Sequence, residues 1–243
     1  MKPGIATSHS ETGRSMLEQV LAGKTILVTA GPTWVPIDQV RIITAIFSGR
    51  TGIEIARRAA DAGANVTLLL GPGRAAMPEC VRQTVRIARF RYFDEFATLL
   101  KNELRVRRYD VIVHSAAVSD YRPNQTCTGK IASGADSLAI RLEPTPKLLP
   151  MIRRVAPQAL LVGFKLEVGR SEDELVRVAR QNMHADGSDV VVANDLDQMR
   201  DGHTAFIVTG SIRKRVVGKR MIAHGLLETA AALLEKAGDG NSR

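Results

Sequence analysis

Short apolar runs alternate with amphipathic segments, and glycines mark most of the joints between them. Ile26, Leu27 and Val28 have the pattern of a buried strand, and they lead directly into Gly31, Pro32 and Thr33. Gly49 and Gly52 then open a helix over Ile53 to Asp61, closed at Gly63, and Asn65 to Leu70 reads as a second buried strand. The rhythm continues with a strand at Thr84 to Ala88, a helix at Phe93 to Leu104, and an apolar strand at Asp110 to His114 that enters Ser115, Ala116, Ala117 and Val118. Alternation of this kind predicts an α/β fold, a Rossmann-like, doubly wound and mostly parallel sheet, with ligands at the carboxyl ends of its strands.

Residues 120–145 break the rhythm. Pro123, Thr126, Thr128, Gly129, Ser133 and Gly134 interrupt any helix, while Ser137 to Leu142 alternates as a strand does, so a flexible hairpin-like arm is expected here. Beyond it the pattern predicts a helix at Pro146 to Val155, a strand at Leu160 to Phe164, a helix at Glu172 to Gln181 and a strand at Asp189 to Ala193. Thr204 to Val208 and Lys214 to Val217 read as two further strands and His224 to Ala237 as a terminal helix. Residues 1–23 are expected to be a partly disordered lead with a short helix at Met16 to Leu21, and residues 24–239 one domain carrying the arm.

The strand, glycine loop and helix at residues 25–56 suit an anion, because glycine lets backbone approach a ligand and a helix N-terminus carries free N–H groups. Two familiar versions are excluded. A P-loop needs GxxxxGK followed by Ser or Thr; a dinucleotide site needs GxGxxG and an acidic residue after the second strand, where this chain has Gly71, Pro72 and Gly73. A nicotinamide-binding Rossmann reductase is therefore a poor fit.

The formal charge of +9 is compatible with anionic small substrates. No nucleic-acid partner is expected, since aromatic residues, the stacking platforms of single-strand readers, make up 4% of the chain. Cys80 and Cys127 form neither a CxxC pair nor a cluster with the five histidines, so no protein-held metal is expected and a reducing compartment is. With no signal-like or membrane-length apolar run, the expected setting is the cytoplasm, without a membrane partner.

Six motifs, VTAGPTxxPIDxVRxIT, SGxxGxxIA, AAVSDYRP, the lone GKI, VGFKLE and VVVAND, stand in register from Lys24 to Leu234. Together they resemble the phosphopantothenoylcysteine synthetase (phosphopantothenate cysteine ligase) family. The resemblance implies a stand-alone ligase domain of coenzyme A biosynthesis, without flavin or a fused flavin-dependent decarboxylase. It would join 4′-phosphopantothenate to cysteine through an acyl nucleotidylate, with CTP or ATP as co-substrate, Mg²⁺ on the polyphosphate, and a homodimeric state. A re-tasked relative that binds nucleotide and a phosphorylated acid is the alternative.

The same resemblance implies site residues. Gly31 and the Gly49 to Gly52 loop match glycine loops around substrate and nucleotide, and Ser48 matches a substrate-side serine, although by itself it reads as a helix cap. His114, Ser115, Ala116 and Asp120 match the nucleotide-facing strand exit; His114 alone reads as a half-buried strand residue. Pro146, Lys147, Leu148 and Leu149 match a nucleotide loop, and Phe164 an aromatic beside the base. Lys130, ten residues after Asp120, matches the arm lysine that closes over the acyl nucleotidylate and is the catalytic candidate. Asp38 and Arg41 read as an ion pair within their loop. Three positions depart from the pattern: Ala45 replaces a substrate-orienting asparagine, and Asn182 and Asp186 stand where CTP-using enzymes carry lysines.

Overall fold

Strand formation follows burial. Thr25–Ala30 (β1), Asn65–Leu70 (β4), Val111–His114 (β6) and Val190–Asp195 (β10) are buried over nearly their whole length, as strands covered on both faces must be. The computed structural model describes residues 15–200 and 202–240; of the lead expected over residues 1–23, residues 1–14 lie outside them. After β1 come two short strands, Trp34–Pro36 (β2) and Ile42–Thr44 (β3), which pair with each other as a ribbon, and then the helix Arg50–Asp61 (α2). Helix Met16–Leu21 (α1) precedes β1 and helix Glu79–Thr84 (α3) follows β4, and the strand Arg86–Arg89 (β5) and helix Phe93–Val106 (α4) come next. The later elements are β7 (Tyr121–Pro123), β8 (Leu142–Pro144), α5 (Leu148–Val155), β9 (Leu160–Glu167), α6 (Glu172–Asp186), α7 (Leu196–Arg200), β11 (Thr204–Val208), β12 (Arg213–Val217) and α8 (Lys219–Gly240).

Eight strands form one sheet in the order β12-β11-β10-β9-β6-β1-β4-β5, parallel from β5 to β10, with β11 and β12 antiparallel. The chain leaves β1 toward β4 and β5, then returns to the other side of β1 as β6. That reversal opens a crevice at the carboxyl ends of β1 and β6. Alternate residues of each strand serve opposite layers: Ile26, Val28 and Ala30 pack with Ile55, Ala56, Ala59, Leu226 and Leu227 of α2 and α8, whereas Leu27, Leu69 and Ile112 pack with Phe96, Leu100 and Ile152 of α4 and α5. The doubly wound sheet expected from the alternation is therefore present.

Several boundaries differ from the sequence pattern. The expected strand at Thr84 to Ala88 lies at Arg86–Arg89, because α3 runs through Thr84 and buries Val81. Ser137 to Leu142 is not a strand; only Leu142–Pro144 pairs, with Tyr121–Pro123, at the base of the arm. The alternation there has no opposing layer, and Leu138, Ile140 and Leu142 are exposed. The helix α5 starts two residues late, since Lys147 is extended, while α2 and α8 start earlier, at Arg50 and Lys219. Helix α6 begins in a capping box of Ser171 and Glu174 and ends at Gly187, whose φ of 71° is the left-handed value that glycine tolerates.

The edges of the sheet are β5 and β12. Arg213, Lys214 and Arg215 occupy β12, with Arg213 and Arg215 reaching Asp173 and Glu172 of α6 at 2.6 and 3.2 Å, and Arg86 and Arg89 bound β5.

Candidate functional site

A cavity of about 190 Å³ sits at the crevice where the sheet reverses. Gly31 beyond β1, Ser115 to Ala117 beyond β6, Phe164 to Leu166 of β9 and Asn194 of β10 supply its floor and walls; Phe47 to Thr51 and Lys219 close it from the α2 and α8 side. The loop before α2 is packed backbone on backbone. Gly49 has φ 82°, and a Cβ on it would lie 3.1 Å from the Gly31 nitrogen. A Cβ on Gly52 would come within 2.5 Å of the Ala30 Cβ and 2.6 Å of the Ser115 Oγ, so the first turn of α2 can lie this close to β1 and β6 only as glycine. No side chain caps α2, which leaves its leading N–H groups available to a ligand.

The electrostatics of this rim favour an anion. Among the described residues the cavity lining holds no carboxylate and Arg50 and Lys219 have no ion-pair partner, while Lys165 is paired with Glu167 at 3.2 Å. Burial, together with the Arg50 guanidinium, holds the Lys219 ammonium below its ordinary range; burial, Lys219 and Arg50 do the same to His203. Asn194 is 9% exposed and its Oδ1 has no partner. A side-chain amide carries both an acceptor oxygen and a donor nitrogen, so the site can present either there.

Of the residues singled out in the sequence, Gly31, Ser48, Gly49, Ser115, Ala116 and Phe164 are brought together at the cavity. Gly52 lies just beneath it. Asp120 and Lys147 stand outside the lining as an exposed ion pair of 2.5 Å at the start of α5, beside exposed Pro146. Leu148 is buried in the core and Leu149 packs on Gly163. Ala45, half-buried at the end of β3, precedes the lining residue Phe47 by two positions, and Lys130 is exposed on the arm. Asp186 lies within the electrostatic reach of Lys147 and Lys165, with burial raising its carboxyl above the usual range. Arg50, Phe47, Met199 and Lys219 went unnoticed in the sequence. Arg50 follows Gly49 directly, a visible signal, whereas Lys219 is joined to the site only by the course of α8.

His114 points away from the cavity. Its ring is buried and stacks parallel to Phe96 at a 6.0 Å centroid distance, and its Nδ1 lies 3.1 Å from the Thr29 Oγ1, which accepts the Ala116 N–H. The Thr29 hydroxyl and Nδ1 share one hydrogen bond, and the buried ring is kept neutral. Burial pushes its pKa down from 6.5 to about 4. Between those values the unfolded chain binds a proton that the native one refuses, so stability is complete above pH 6.5 and falls as pH drops toward 4. The expected loss is about 3 kcal/mol. Denaturant midpoints across this range should fall in the parent and much less in His114→Gln; equal slopes would show that another group is responsible.

Comparison with known proteins places this geometry. The family described as DNA/pantothenate metabolism flavoprotein C-terminal domain matches residues 21–233. The "Coenzyme A biosynthesis bifunctional protein CoaBC" of Thermococcus kodakarensis is 38% identical over 197 residues, covering 81% of this chain and 47% of that protein. A "Cysteine/Cysteine sulfinic acid decarboxylase" from an unknown prokaryotic organism is 33% identical over 184 residues, covering 75% of this chain and 49% of its own length. The chain thus spans about half the length of the curated relatives it matches. The crystal structure of the DNA/pantothenate metabolism flavoprotein from Streptococcus pneumoniae superposes with a TM-score of 0.78 at 31% identity, covering 87% of this chain and all of that one. With the matched domain spanning nearly the whole chain and the six motifs threaded through it, the protein belongs to the phosphopantothenoylcysteine synthetase family.

Proposed function

We propose that the chain is a ligase that condenses 4′-phosphopantothenate with cysteine through an acyl nucleotidylate. The observation that carries this reading is the cavity at the sheet reversal, where the uncapped start of α2 meets unpaired Arg50 and Lys219 with no lining carboxylate among the described residues. A carboxylate accepts no amine, because oxide would have to leave. The acid must first attack the nucleotide α-phosphorus and release pyrophosphate, after which the cysteine amine displaces the nucleoside monophosphate.

In this reading the loop from Ser48 to Gly52 holds phosphates, Arg50 and Lys219 neutralise the charge that grows on the departing pyrophosphate, and Phe164 stacks beside the base. Lys130 is the cation of the arm, and the Asp120–Lys147 pair borders the nucleotide. Magnesium belongs to the co-substrate, arriving on the triphosphate, and the residues around the cavity are suited to that role rather than to holding a resident ion: they bring cations, and no described group of three or more His, Cys, Asp or Glu could bind a metal. With Asn182 and Asp186 in place of lysines, ATP is favoured over CTP. The single domain at 24–239 works in the cytoplasm as a homodimer, in line with the family pattern; no described helix is long and apolar enough to cross a membrane.

The test mixes the protein with phosphopantothenate, cysteine and either nucleotide, and follows pyrophosphate and product mass. Stoichiometric pyrophosphate and phosphopantothenoylcysteine are expected, with ATP preferred. Pyrophosphate release without amide product would instead support a re-tasked relative, a reading for which Ala45 is the specific motive.

A further inference from the structure

The arm is fastened along one short stretch. The Cys127 N–H donates to the Ile37 carbonyl at 3.1 Å, the Gln39 N–H to the Gly129 carbonyl at 3.2 Å, and Arg41 Nη1 to the Ile131 carbonyl at 3.2 Å. The Ile131 N–H donates to Asp38 Oδ2 at 3.0 Å. Residues 132–140 make no such bonds. Lys130 is consequently pinned through both neighbours, while its own side chain is exposed and has no ion-pair partner among the described residues.

Asp38 is the centre of this fastening. Its side chain has no exposed surface, and it also accepts the N–H groups of Val40 (2.8 Å) and Arg41 (2.6 Å) and the Arg41 guanidinium (2.5 Å). Burial works against its charge, but the amides of Ile131, Val40 and Arg41 and the guanidinium outweigh it and hold the carboxyl far below the usual range. Closing the local turn needs only the Val40 and Arg41 amides. The bond to Ile131 spans 93 residues of sequence and contributes nothing to that turn.

We propose that Asp38 is the positioning residue for Lys130: its carboxylate seats the arm on the 36–41 turn so that the lysine projects from a fixed backbone. This rests on the ligase reading, in which Lys130 acts on the nucleotide. A cation placed in advance loses less freedom when charge develops than one carried on a loose loop.

Asp38→Asn keeps the shape and removes the charge. In single turnover it should lower amide formation about ten- to a hundredfold with nucleotide affinity unchanged. In a Lys130→Ala background the same substitution should cost nothing further, since the two residues act as one unit. Equal losses in both backgrounds would show a merely structural role and overturn the proposal. Hydrogen exchange gives a readout independent of activity: the Ile131 amide should be protected in the parent and exposed in Asp38→Asn. An unprotected Ile131 amide in the parent would overturn the proposal outright. A parent that forms no amide, yet shows the expected exchange, would refute the ligase reading and the catalytic purpose of the latch while upholding the latch itself.

Discussion

Ala45→Asn should form amide about a hundred- to a thousandfold faster than the parent, with nucleotide affinity little changed. Ala45 follows β3 directly and lies two residues before Phe47 on the cavity wall, and its methyl group donates no hydrogen bond. An amide aimed at a reacting acyl group is worth about 3 to 4 kcal/mol when it meets charge that appears only in the transition state. Such an interaction alters turnover and leaves ground-state binding alone. Single-turnover product formation by parent and variant, with either nucleotide, decides the matter. A parent as fast as the variant would mean that another donor already fills the place, and a variant that stays inert would favour the re-tasked reading.

Removing Arg50 and Lys219 together is expected to weaken binding of nucleotide and of free pyrophosphate by about two to four orders of magnitude, at about 1.5–3 kcal/mol for each charged hydrogen bond lost. Stability should hold or rise, because the two cations lie near each other with no carboxylate among the described lining residues. That opposite movement of affinity and stability separates a binding role from a structural one. Titration calorimetry and thermal unfolding on the same samples measure both, and unchanged affinity would remove the pair from the site. In the parent, the depressed Lys219 loses its proton at a lower pH than an ordinary lysine, so pyrophosphate affinity should begin to fall earlier on the alkaline side; Lys219→Arg should abolish that early fall.

The central sheet was legible because its strands are covered on both faces and so read as short unbroken apolar runs; Asn65–Leu70 and Thr204–Val208 are found at the expected bounds. Elements that depend on distant partners were not. The β2–β3 ribbon is two strands of three residues, too short to carry a period, and the alternation at Ser137 to Leu142 looks like a strand although nothing packs against it. In the cavity, the glycines, Ser115 and Phe164 announced themselves through motifs. Lys219 did not, since a lysine at the head of a helix looks the same whether solvent or a crevice receives it. Asp38 was visible as one half of an ion pair, but its bond to Ile131 belongs to the folded arm and has no trace in the local sequence.

The arginines along both margins of the sheet carry a further implication for crowded solutions. A second molecule that tried to extend the ladder at β12 or β5 would bring guanidinium groups against guanidinium groups and would have to break the contacts of Arg213 and Arg215 with α6. Growth of the sheet from molecule to molecule is thereby disfavoured at both of its edges.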